Sequence, residues 1–80
     1  MTREELLEAV AEILRDIFDN EELPVTEETS SADVEDWDSL EQINILVAIQ
    51  EHFGIQFSLD DVKGLENVGD TLDLIERKLG

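Results

Sequence analysis

Apolar residues near the start of the chain recur at the spacing of one helix face. Leu6, Leu7, Val10, Ile13, Leu14, Ile17 and Phe18 follow one another with acids between them, which predicts an amphipathic α-helix. Thr2 with Glu5 three residues on reads as a capping box at its start. The pattern fades near Asp19–Asn20.

From Asn20 to Trp37 no period is visible. Pro24, Thr26, Thr29, Ser30 and Ser31 predict a long connection, with Leu23, Val25 and Val34 available to pin it to a core. A loop of this length is uncommon in a compact fold unless it is functional or covers apolar surface. Asp38 with Glu41 then opens a second helix as a capping-box variant, and Gly54 is the expected terminator. Ser58 with Asp61 starts a short third helix over Leu59 to Lys63, stopped by Gly64. Asn67 with Asp70 starts a last helix, where Val68, Leu72, Ile75 and Leu79 form the buried stripe and Arg77 and Lys78 complement the C-terminal dipole. Strand signals are confined to Gly54–Phe57. The expected fold is all-α: a small four-helix bundle, three main helices plus one short one, with a long first loop.

The second helix carries more apolar residues than one face can hold. At about 100° per residue, Ile45, Leu46, Ile49 and Phe53 share one arc of roughly 100°. Leu40, Ile43 and Val47 form a second arc, centred roughly 130–140° away, and Glu41, Asn44, Glu51 and His52 fill the remainder. Either the helix is central and packed on two sides, or the second arc is an exposed docking strip beside acids. The docking strip is the favoured reading, because so small a bundle cannot easily bury both arcs.

Charge and size narrow the partners. The chain has 80 residues, five Lys plus Arg against 22 Asp plus Glu, and a formal net charge of -17. Such a surface repels nucleic acid and anionic membranes and favours partners with basic patches, although on charge alone the plainer reading is that the acidity only keeps the protein soluble. Self-repulsion predicts that added salt stabilises the fold. With no cysteine, neither disulfides nor a thiolate metal site can form, and the core must hold by packing alone. No apolar run reaches the roughly 20 residues of a membrane-spanning helix. The opening residues lack a signal-peptide layout, so the expectation is a cytoplasmic monomer with residues 1–80 as a single domain.

Catalytic chemistry is hard to find. His52 is the sole histidine and has no nucleophile at helical spacing. Asp33, Glu35, Asp36 and Asp38 lack the glycine and alternating register of a calcium loop, so no specific metal site is expected. Ser39 differs by its position: it is the first residue of the second helix, where free backbone N–H groups favour a nearby phosphate. By itself, that position says only that a helix begins.

Asp38-Ser39-Leu40, followed by Glu41-Gln42-Ile43, resembles the Asp-Ser-Leu attachment motif of acyl carrier proteins and related thiolation domains. The resemblance extends to the first helix, the long loop, the His52-Phe53-Gly54-Ile55 ending, the short third helix and the Asn67-Val68 start. It implies that a phosphopantetheinyl transferase, using coenzyme A and magnesium, joins 4'-phosphopantetheine to the Ser39 oxygen. The arm's thiol then holds acyl groups as thioesters, so the protein is a carrier rather than an enzyme. Further implications are acyl-transfer and synthase partners with basic docking patches, recognising Leu40, Glu41, Ile43, Asn44, Val47 and Glu51. Ile45, Ile49, Phe53, Val62, Leu72 and Ile75 would line a site for the acyl chain. Asn44, Gln50 and His52 stand where carriers of fatty-acid synthesis usually show acids, and Trp37 replaces a small residue. The resemblance implies fatty-acid or a related specialised lipid or polyketide biosynthesis, and these departures suggest a carrier dedicated to a specialised pathway. An aminoacyl or peptidyl carrier, or an acidic interaction module without the arm, are the alternatives. Trp37 is read as an anchor for the loop.

Overall fold

The structure, a computed structural model, describes residues 1–80 and contains four helices and no strand. They are α1 (Arg3–Ile17), α2 (Ser39–Phe53), α3 (Leu59–Val62) and α4 (Val68–Leu79). All four starts are set by local side-chain chemistry. Thr2 Oγ1 accepts the Glu5 N–H at 3.2 Å while Glu5 accepts the Thr2 N–H at 2.9 Å. That backbone hydrogen bond from Thr2 holds the Glu5 carboxyl below its ordinary pKa. Ser58 and Asp61 form the same reciprocal pair at α3, and Asn67 accepts the Asp70 N–H at 2.8 Å to start α4.

The α2 start has only half of the expected box. Asp38 accepts the Glu41 N–H at 2.9 Å. The Glu41 carboxylate instead accepts from the Asn44 side chain at 3.3 Å, and the Asp38 N–H donates to the Asp36 carbonyl. At the other end Gly54 adopts φ 66°, ψ 38°, a left-handed conformation that glycine enters without steric cost. Gly64 is not left-handed: α3 already ends at Val62. α1 stops at Ile17, with Asp19 at φ 50° turning the chain.

α1 packs against both α2 and α4. Leu6, Val10 and Leu14 of α1 meet Ile45 and Ile49 of α2, Val68, Leu72 and Ile75 of α4, and Leu23 of the loop in one buried cluster. Leu74 is also buried, whereas Leu79, expected in the stripe, is 44% exposed. Its angular position suits the stripe, but it lies in the last turn and no neighbouring element covers it.

The long loop is held by both arginines of α1. The Arg15 Nε–H donates to the Leu23 carbonyl at 2.9 Å. Arg3 reaches the Glu27 carboxylate at 2.7 Å, Asp73 at 2.9 Å, the Gly69 carbonyl at 3.1 Å, and also Glu76. One guanidinium thereby ties α1, the loop and α4 together. Its hydrogen bond lowers the pKa of Glu27, and the same contact raises that of Arg3. Backbone bonds complete the attachment: the Val68 and Gly69 N–H groups donate to Thr29 and Glu27 carbonyls at 2.8 and 2.7 Å. A Cβ at Gly69 would stand 3.1 Å from the Glu27 carbonyl oxygen, so the close approach suits a residue without a side chain.

Candidate functional site

Ser39 is exposed and opens α2. The Asp38 side chain satisfies the N–H of Glu41, and the Asp38 carbonyl that of Gln42. The N–H groups of Ser39 and Leu40 have no partner. A hydroxyl therefore sits beside two free donors at the positive end of a helix, a setting suited to a phosphate ester.

Beside Ser39 lies a groove of about 610 Å³, bordered by Trp37, Gln42 and Ile43 on one side and by Val62, Leu65, Asn67 and Thr71 on the other. Trp37 closes the loop end. Its indole N–H donates to Gln42 Oε1 at 2.6 Å, and its ring lies 5.9 Å from that of Phe18. Trp37 thus anchors the loop, as the sequence suggested, and also walls the groove. The α3 side depends on an ion pair, because α3 has no fully buried residue. Lys78 Nζ stands 2.8 Å from Asp61 Oδ2. That hydrogen bond, with the Ser58 backbone N–H, pulls the Asp61 carboxyl down to about 2.

The three apolar residues of the second α2 arc are all at the surface: Leu40 is 65% exposed, Ile43 58% and Val47 46%. Asn44 and Glu51 are exposed beside them, while Glu41 is half-buried. Of the six residues suggested for an acyl-chain lining, only Val62 borders the groove. Ile45, Ile49, Leu72 and Ile75 are core residues, and Phe53 packs partly against them. Leu65, Asn67 and Thr71 went unmarked as site residues in the sequence, because only the turn before α4 brings them opposite Ser39. His52 lies elsewhere, edge-on to Phe53 at 4.8 Å, in a second hollow with Glu12, Asp16 and Asp19.

The family described as "Phosphopantetheine attachment site" matches residues 4–75. The chain belongs to the acyl carrier protein family. It is 37% identical over 75 residues to an acyl carrier protein of Acidothermus cellulolyticus, covering 94% of this chain and 89% of that one. It is 32% identical over 77 residues to the meromycolate extension acyl carrier protein of Mycobacterium leprae, covering 96% and 67% respectively. Among solved structures, holo acyl carrier protein from Geobacter metallireducens superposes with a TM-score of 0.86 at 40% identity, covering 92% of this chain and 85% of that one. As a member of this family, the protein is a carrier of acyl groups on a covalently attached phosphopantetheine, in fatty-acid or related lipid biosynthesis. The family works with synthases and transferases. No helix is long and apolar enough to cross a membrane.

Proposed function

We propose that Ser39 is the residue that carries the 4'-phosphopantetheine, and that residues 1–80 act as one acyl-carrier domain without catalytic activity of its own. The observation that carries this reading is the exposed Ser39 hydroxyl beside the unpartnered N–H groups of Ser39 and Leu40, at the edge of a groove. When attached, the arm supplies a terminal thiol that holds the acyl group as a thioester. The protein's own residues do the rest. Asp38 fixes the start of α2 and so the position of the hydroxyl, and the free donors would favour the phosphate's negative charge.

Leu40, Ile43 and Val47, with Glu41, Asn44 and Glu51 around them, form the recognition surface for partner enzymes. Support comes from the exposure of the three apolar side chains on a highly acidic protein. A partner with a basic rim and an apolar centre fits it, the charges speeding encounter and the apolar contact holding it. The phosphopantetheinyl transferase is the first such partner. Loading takes place where coenzyme A is available, which supports a cytoplasmic location, and the net charge of -17 favours a monomer.

The test is incubation with coenzyme A, magnesium and a broad-specificity transferase, followed by intact-mass measurement. Wild type should gain one phosphopantetheine and Ser39→Ala none. Equal gain by both, or gain by neither, would overturn the assignment of Ser39.

A further inference from the structure

Two side-chain amides face the groove at Ser39 in a fixed orientation. The Trp37 indole N–H can only donate, so the atom it meets in Gln42 must be the oxygen, at 2.6 Å. The backbone N–H of Asp70 likewise identifies the Asn67 oxygen, at 2.8 Å. Neither amide can flip without losing a bond that fixes the loop or starts α4. Each therefore keeps its NH2 group free for another acceptor, since neither Gln42 Nε2 nor Asn67 Nδ2 has a protein partner. Both residues border the same groove as Ser39, on opposite walls. Trp37, Ile43, Val62 and Leu65 supply the apolar part of the lining, shared with polar residues that include Asp38, Glu66 and Thr71.

A pantetheine chain has the complementary chemistry. It carries two secondary amides, whose carbonyls accept hydrogen bonds, and a gem-dimethyl group that seeks apolar surface. We propose that Gln42 and Asn67 form a two-donor cradle that holds the amide carbonyls of the arm against the groove, making them positioning residues for the arm. The proposal rests on Ser39 as the attachment point. Gln42 lies one helical turn from Ser39 and so on the same α2 face, while Asn67 borders the groove as the cap of α4. The same two bonds that build the loop and α4 thus orient the donors, and α2 and α4 hold the arm jointly. Trp37 has a second consequence here: any movement of its ring releases the Gln42 amide and with it one donor.

The variants that test this are nearly isosteric. Gln42→Glu keeps the oxygen that accepts from Trp37, and Asn67→Asp keeps the cap on α4, but each loses its NH2. Loading is first confirmed by intact mass, so a failure of attachment is read separately from a failure of docking. With a 15N-labelled arm on the holo protein, the arm amides of wild type should show restricted motion by heteronuclear relaxation. Nuclear Overhauser contacts to the Gln42 and Asn67 NH2 protons should also appear. Each variant should lower the docked-to-free ratio by roughly two- to tenfold, the weight of one ordinary hydrogen bond. The spectra are repeated at about 1 M salt, where the Debye length falls to about 3 Å. Loss of restriction that persists there supports the donor role. Loss that disappears there reports only the added negative charge and overturns it. A fully loaded wild type whose arm amides tumble freely, or whose docking both variants leave unchanged, would equally overturn the cradle.

Discussion

Helices α1 and α2 are each 15 residues long and pack against one another, yet they use their apolar residues differently. In α1 none of the large apolar side chains stands in solvent; they lie in the core or packed against it. In α2 the core face is as tightly buried, with Ile45 and Ile49 in the central cluster, but Leu40, Ile43 and Val47 stand in solvent. Exposed apolar surface on a small acidic protein contributes little to folding and marks a place for interaction. The helix with the surplus is also the one that begins at Ser39. If the proposed recognition surface is correct, residues in excess of what the core can take mark the working face, and those within that capacity mark the scaffold.

Mutations should separate the two roles. Ile49→Ala, at a site with no exposure, should cost about 2–5 kcal/mol in denaturant unfolding. That is a large share of the roughly 4–12 kcal/mol usual for a domain of this size. The matching change on the other face, Ile43→Ala, should stay within about 0.5 kcal/mol. Equal costs at the two positions would erase the distinction. Ile43→Glu or Val47→Glu should weaken binding to the transferase or another partner while circular dichroism keeps its helix signal. Global unfolding by either would mean that the second arc supports the fold.

Loss of the Arg3 contacts should come next in size. Arg3→Gln leaves Glu27, Asp73 and Glu76 close together without their shared cation, so the melting temperature should fall. Because the interaction is partly exposed, the gap to wild type should narrow as salt rises. A gap that is constant across ionic strength would point to packing instead. The smallest effect is expected at Asp61. Its folded pKa of about 2 lies below the ordinary 3.8, so the charged form is favoured in the folded state. The resulting stability is present above about pH 4 and is lost as pH falls towards 2. Lys78→Met should therefore flatten the stability profile in that window, measured by urea midpoints.

The sequence made the helices legible because their signals are local. Thr2, Asp38, Ser58 and Asn67 each cap the helix that their spacing announces, and the two arcs of α2 follow from angle alone. What could not be read depends on distant partners. Arg3 meets residues 24, 70 and 73 positions away, and no periodicity carries that information. Leu65 and Thr71 face Ser39 only because the chain turns between α3 and α4. Leu79 departs from the buried stripe for a related reason: helical phase gives a residue's direction but not whether another element reaches that far. The missing half of the α2 capping box has a local cause: Asn44 donates to the Glu41 carboxylate and the Asp38 N–H donates to the Asp36 carbonyl.

The two backbone bonds from the start of α4 to Glu27 and Thr29 make the loop, in effect, two tethers of ordinary length. The first runs from α1 to the docking point, and its residues Asn20, Glu21 and Glu22 are all exposed. The second runs from the docking point through Val34 and Trp37 to Ser39. Extra residues between Asn20 and Glu22 should bulge outward and leave loading by the transferase intact. Extra residues between Ala32 and Trp37 shift the tether that delivers Ser39 to its helix, and loading should slow. Insertion scanning with mass readout would show whether one tether is elastic in length and the other is a ruler.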